Sequence, residues 1–148
     1  MQQPRPGDRR VGWAWFGLCV ALALHVTDEA LTDFLSVYNP TVESLKQRLP
    51  WLPLPTFQFR TWLDGLVAAV VLLVGVTPLI SRGVQMLRVL AYPFGVLMAL
   101  NALGHLTGSL VLGRLLPGVY SSPVLLMASM YLLFQLARSR SSGIRATS

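Results

Sequence analysis

Four apolar stretches, at about residues 12–35, 60–81, 84–112 and 122–137, each approach the roughly 20 residues that a helix needs to cross a hydrocarbon core. Backbone amides that enter lipid must be satisfied within their own segment, so such stretches read as helices. The chain is therefore expected to be all-α, a polytopic membrane protein with four transmembrane helices. The connections leave no room for a soluble domain, and residues 1–148 read as a single transmembrane domain. Charged residues make up 12% of the chain, against about 25% in soluble proteins. No internal repeat and no sustained heptad appears, which excludes solenoids and coiled coils.

A net charge of +6 invites a nucleic-acid reading, but the cations sit at helix ends in no RNA or DNA motif, and no nucleic-acid partner is expected. They set topology instead. Arg5, Arg9, Arg10, Arg82, Arg88, Arg138, Arg140 and Arg145 flank one side, against Lys46, Arg48, Arg60 and Arg114 on the other. The positive-inside bias then places both termini in the cytoplasm. Ala21-Leu22-Ala23 imitates a signal peptidase site, yet the helical pattern runs on through Ala30, Leu31, Phe34 and Leu35, so the first span is expected to stay attached. The polar tail from Ser139 to Ser148 reads as disordered. The single cysteine, Cys19, excludes an internal disulfide and reads as a small buried apolar residue.

Between the first two spans, Asn39 looks like an N-cap and Pro40 like a first helical residue. Val42, Leu45 and Leu49 then share one face, as in a short interfacial helix after the first span. Pro50, Pro53 and Pro55 end it. Trp51, Phe57, Phe59 and Trp62 read as aromatic anchors at headgroup level, and Trp13, Trp15 and Phe16 as their counterparts on the cytoplasmic side. In the third span Pro93 should kink the helix or free a carbonyl, and Gly104-xxx-Gly108 offers a face for close helix approach.

The chemistry lies in the polar residues that interrupt these stretches. His25, Asp28 and Glu29 stand at i, i+3 and i+4 and so share one helix face. Ionisable groups inside a bilayer cost a few kcal/mol each and are usually turned inward and functional. Asn101 and His105 repeat the i, i+4 spacing on the third span. Counting about 1.5 Å per residue from the cytoplasmic arginines puts His25, Asn101, His105 and Asp64 in one layer, about 20–27 Å up. Asp64 is the candidate to close the pocket from the second span, although Arg60 offers it a partner. Asp33 continues the Glu29 face into the headgroups.

His25, Glu29 and His105 are the candidate catalytic residues. The candidate metal ligands are His25, Asp28, Glu29, Asn101 and His105, a mixed nitrogen and oxygen set suited to a divalent metal such as Zn, Fe or Mn. The same groups would serve as a proton relay or a general acid and base. Nucleophile-elbow, Walker, dinucleotide-glycine and H-E-x-x-H motifs are absent, and Ser109, Ser121 and Ser122 near this layer lack a nucleophile context.

His25-Val26-Thr27-Asp28-Glu29 resembles the signature of the bacterial four-helix membrane proteins named for their HXXEE motif. Asn101-xxx-His105 looks like that family's second block, and Pro117-Gly118 is similar to a third. Asp28 stands where the motif has its first Glu, keeping the charge and shortening the reach by one methylene. The likeness implies the location of a site in a bacterial inner membrane, and no activity. A looser likeness, of His25-xxx-Glu29 to the emopamil-binding, sterol-isomerase-like group, implies a proton shuttled across a lipid double bond. The expected role is thus metal-dependent or acid–base chemistry on a lipid-like or small amphiphilic molecule in the lipid bilayer. The alternative is a small ion or metabolite carrier, or a non-catalytic subunit of a membrane complex.

Overall fold

A computed structural model of the chain describes residues 6–144, with side chains described over 7–139. Arg5, Arg145 and the end of the polar tail lie outside the described residues, as does the side chain of Arg140. The described part is all helix and connection: α1 (Pro6–Leu31), α2 (Phe34–Arg48), α3 (Phe59–Ser81), α4 (Gln85–Leu112) and α5 (Ser122–Ile144).

Helix α1 is the centre of the bundle, packed along α3 and α5, while α4 packs along α5 and touches α3 little. Its inward stripe repeats every three or four residues: Val11, Ala14, Trp15, Leu18, Cys19, Ala21, then His25 and Glu29, all buried. The polar pair therefore continues the core stripe instead of leaving it. In a bilayer, whose lipid tails are as apolar as leucine, such contacts would hold through close packing and polar ties more than through water exclusion. Two ties are visible. Trp15 Nε1 donates to Leu73 O of α3 at 2.9 Å, and its ring lies 5.2 Å from Phe94 of α4. At the far end, Arg88 pairs with Asp8 at 2.6 Å and also bonds Ser139, so the starts of α1 and α4 meet the end of α5.

Three helices, Gly7–Leu31, Phe59–Ser81 and Gln85–Leu112, are long and apolar enough to cross a membrane among the described residues. The expected fourth span does not reach that standard. Helix α5 carries Ser122, Ser129 and Gln135 on a buried face, and hydropathy averaged around the helix falls accordingly. It nevertheless runs beside its neighbours from Ser121, bonded to Asp28 of α1, down to Ser139 at the Arg88 end.

The first span also ends earlier than expected. The chain breaks at Thr32-Asp33, where the Thr32 hydroxyl bonds Asp28 O and Asp33 takes a left-handed conformation at φ 56°, which Asp tolerates better than most residues. Helix α2 starts directly after, at Phe34, so Asn39 is not a cap and Pro40 lies inside the helix. Asn39 instead binds the following loop, its side-chain amide donating to Phe57 O at 2.9 Å and accepting from Phe57 N at 3.1 Å. With Tyr38 Oη donating to Pro55 O at 3.1 Å, it straps the proline-rich loop to α2.

The aromatic anchors divide. Trp13 and Trp51 are exposed, whereas Trp15 and Trp62 are buried, the latter with its ring stacked on Phe34 at 5.7 Å. Positions two apart on a helix point about 200° apart, so Trp13 and Trp15 cannot both face the headgroups. Val67, Val71, Leu72 and Val74 of α3 are exposed, an apolar surface that suits lipid and would be an association surface in water.

Candidate functional site

The end of α1 supplies the first half of the site. His25 is 1% exposed and Glu29 6%, one turn apart on the inward stripe, with His25 Nε2 3.6 Å from Glu29 Oε1. Helix α4 supplies the second half. His105 Nε2 lies 3.2 Å from the same Glu29 Oε1, and the two imidazole rings meet edge to face with centroids 4.9 Å apart. Four residues earlier on α4, Asn101 Nδ2 lies 3.0 Å from His25 Nε2. Glu29 comes less than one turn before α1 ends at Leu31, so the cluster sits at the mouth of the bundle.

The connection from α4 to α5 closes it. Gly113 ends α4 in a left-handed conformation at φ 60°. The loop then folds back, with Leu116 N donating to Ser109 Oγ at 3.0 Å. Gly118, at φ 81°, lies directly over the cluster. A β-carbon there would stand 3.0 Å from Glu29 Cγ, 3.0 Å from His25 Cε1 and 3.1 Å from His105 Cε1, so a side chain would crowd all three residues.

Ser121, in the turn just before α5, orients His25. Asp28 Oδ2 accepts from Ser121 N at 2.9 Å and from Ser121 Oγ at 2.8 Å. The hydroxyl's other acceptor, Gly118 O, is more distant at 3.2 Å, and the charged acceptor is the stronger. With its proton given to Asp28, Ser121 Oγ accepts from His25 Nδ1–H at 2.9 Å. That selects the tautomer with a bare Nε2 lone pair turned toward Glu29 and Asn101. The arrangement is a carboxylate-to-histidine support routed through a serine. Asn101 Nδ2–H donates to the Nε2 lone pair, so Asn101 and a metal ion would compete for it.

Among the described residues, His25, Glu29 and His105 form a group that could hold a metal ion, each offering a ligand atom within 4.8 Å of the others. Tetrahedral sites with bonds of about 2.0–2.2 Å have ligand-to-ligand edges of about 3.3–3.6 Å. The two Nε2–Oε1 separations, 3.6 and 3.2 Å, fall close to that edge. Two imidazoles and one carboxylate leave a fourth position free, as in catalytic rather than structural sites.

The polar residues singled out from their spacing are thus not all together. His25, Glu29, Asn101 and His105 converge, and Asp28 stands one step out, turned to Ser121. Asp64 is exposed and outside the group. Gly104-xxx-Gly108 is not a helix-packing face here: Leu116 covers Gly108, and nothing stands near Gly104. Ser121 and Gly118 are the contributors that spacing did not identify as site residues. Gly104 instead opens onto a groove of about 330 Å³ that exposes the site, lined by Asn101 and His105 together with Phe34, Val37, Leu100, Leu116 and Pro117.

The family model for proteins of unknown function with an HXXEE motif matches residues 16–132, from within α1 to about the middle of α5. The chain belongs to that family. Searches of curated proteins and of solved structures return no match. In this HXXEE protein the first and last letters of the motif are His25 and Glu29 of the cluster. The fourth, here Asp28, holds Ser121 in place.

Proposed function

We propose that this HXXEE-family protein is an inner-membrane protein, with both termini cytoplasmic, that holds one divalent Zn, Fe or Mn ion between His25, Glu29 and His105. We propose further that it acts on an amphiphilic molecule reaching the site through the groove. The observation that carries the reading is the convergence of two imidazole nitrogens from two helices on one Glu29 oxygen, at 3.6 and 3.2 Å, with the His25 tautomer set by Ser121 and Asp28. A metal bound there would act as a Lewis acid on a ligand oxygen or on water. The chain's own residues do the rest. Glu29 brings negative charge beside both imidazoles, Ser121 fixes the His25 ring, and the Gly118 backbone excludes bulk from above. His105 and Asn101 present polar atoms at the base of an otherwise apolar groove, the pattern of a site that orients a largely apolar ligand by a few polar groups. Because this groove is at one end of the bundle, the reading favours chemistry or binding over transport, which needs access from both faces.

The metal-free reading, a proton relay, is favoured by one feature: Glu29 lies between two imidazoles, and Asp28, Ser121 and His25 form a continuous hydrogen-bonded chain. Metal analysis of the purified full chain separates the two. Near-stoichiometric divalent metal in the wild type, lost in both His25→Ala and His105→Ala while both variants stay folded, supports the metal site. Wild-type protein purified without chelators that retains no metal and acquires none on titration rules it out and leaves the relay.

A further inference from the structure

At the opposite end of the bundle, a second groove of about 420 Å³ lies between α1 and α3, lined by Arg9, Gly12, Trp13, Phe16, Thr77 and Ser81. Its floor is a close helix contact. A β-carbon on Gly12 would collide with the Ser81 side chain, so only glycine lets the two helices meet there. Its wall is aromatic, with Trp13 and Phe16 edge to face at 6.1 Å and Trp13 69% exposed. At its rim Arg9 is exposed and forms no ion pair with any described residue, unlike Arg88, which pairs with Asp8.

One residue of this groove carries a buried hydroxyl that lacks a partner. Thr77 Oγ1 is the buried side-chain polar atom without a hydrogen bond among the described residues. Elsewhere the helical hydroxyls bond back to the carbonyl four residues earlier, Thr27 to Ala23, Thr41 to Val37, Thr107 to Leu103 and Ser129 to Leu125. For Thr77 that carbonyl is Leu73 O, which already receives Trp15 Nε1–H. Burying an unpaired hydroxyl is costly, and its residue, Thr77, lines a groove that also offers a guanidinium and a second hydroxyl.

We propose that the groove binds the phosphodiester headgroup of one anionic phospholipid from the leaflet at the α1 N-terminal end. Arg9 pairs with the phosphate, Thr77 and Ser81 supply hydroxyl donors, and the acyl chains descend along Trp13 and Phe16. Arg10 and Arg82, both exposed near this end, add the positive field that concentrates anionic lipid at a membrane surface. The placement of Trp13 is that of an aromatic residue at the glycerol level. The proposal requires a bilayer around the bundle and is independent of any metal at the other end.

Native mass spectrometry of the full chain in detergent, titrated with phosphatidylglycerol and phosphatidylcholine, tests it. Both lipids carry the phosphodiester, but phosphatidylcholine adds a quaternary ammonium that Arg9 and its neighbouring cations repel, whereas phosphatidylglycerol is net anionic, so phosphatidylglycerol should bind as one equivalent about tenfold more tightly than phosphatidylcholine. Arg9→Gln should abolish that preference and Thr77→Val should reduce it, whereas Arg114→Gln, an exposed cation at the far end, should leave it intact. Equal binding of the two lipids overturns the proposal. So does an Arg114→Gln loss as large as that of Arg9→Gln, which would indicate diffuse charge attraction. Displacement of the lipid by millimolar glycerol 3-phosphate would indicate a soluble phosphate site and overturn the lipid assignment. If Thr77→Val merely raises thermal stability equally in both lipids, the hydroxyl serves no ligand and the proposal fails.

Discussion

Gly118→Ala places one methyl group against all three residues of the cluster, and a matched control exists in the same loop. Gly118 and Gly113 both have positive φ, 81° and 60°. An alanine at either position carries the left-handed penalty of about 1 kcal/mol. Only at Gly118 does the new β-carbon meet anything: Glu29, His25 and His105 at 3.0–3.1 Å, against nothing within 4 Å at Gly113. Overpacking of this kind adds about 1–3 kcal/mol, so Gly118→Ala should destabilise by roughly 2–4 kcal/mol and Gly113→Ala by roughly 1. The larger effect should be on binding. The crowded side chains must give by a few tenths of an ångström, while metal–ligand distances tolerate about 0.2 Å. Losses of support around metal ligands typically cost 10–100-fold in affinity, roughly what is expected here. Competitive zinc titration and thermal unfolding of the three proteins in one detergent give both quantities. Wild-type affinity in Gly118→Ala, or an equal loss in Gly113→Ala, refutes the placement of Gly118 over a metal site.

Ser121→Ala removes the acceptor of His25 Nδ1–H and should weaken metal binding about tenfold, whereas Asp64→Asn, on an exposed residue outside the cluster, should leave it unchanged in the same titration. Metal affinity should fall on acidification, because a protonated imidazole cannot donate to a metal. Isothermal titration at several pH values should show proton release on binding that grows as the pH falls, and a pH-independent affinity would contradict histidine ligation. Arg88→Ala breaks the Asp8 and Ser139 ties and should cost about 2 kcal/mol of stability, with metal affinity retained; loss of binding without loss of stability would contradict a purely structural role. Reporter fusions at residue 148 and in the Pro50–Pro55 loop should place the first in the cytoplasm and the second outside. A C-terminus outside would mean that α5 does not cross with the other three.

The cluster could be anticipated because polar residues are scarce in these helices: His25 with Glu29 and Asn101 with His105 each repeat at i, i+4, and helical geometry brings such pairs to one face without knowledge of the fold. Ser121 and Gly118 could not be found this way. Their positions depend on how the α4–α5 loop folds back over α1, and serines and glycines in loops are common for many reasons. The Asn39-Pro40 pair imitated a helix start because the break at Asp33 needs no glycine or proline, while Asn39 is held by Phe57 across the loop. Trp15 was grouped with Trp13 on composition, and only the direction of the core stripe separates them. Asp64 shared the depth of the histidines but not their direction, since depth follows from residue count and facing follows from packing. The polar face of α5 lowered its hydropathy for the same reason that it packs well: Ser122 and Ser129 are buried and bonded back to Gly118 O and Leu125 O.

X-ray absorption at the edge of the metal bound to the purified full chain tests the His25, Glu29 and His105 centre most directly. The expected spectrum has nitrogen and oxygen neighbours at about 2.0–2.2 Å, outer-shell scattering from two imidazoles, and no sulfur. One of those imidazoles should disappear in His105→Ala. A spectrum with sulfur, or with oxygen neighbours alone and no imidazole scattering, would contradict it.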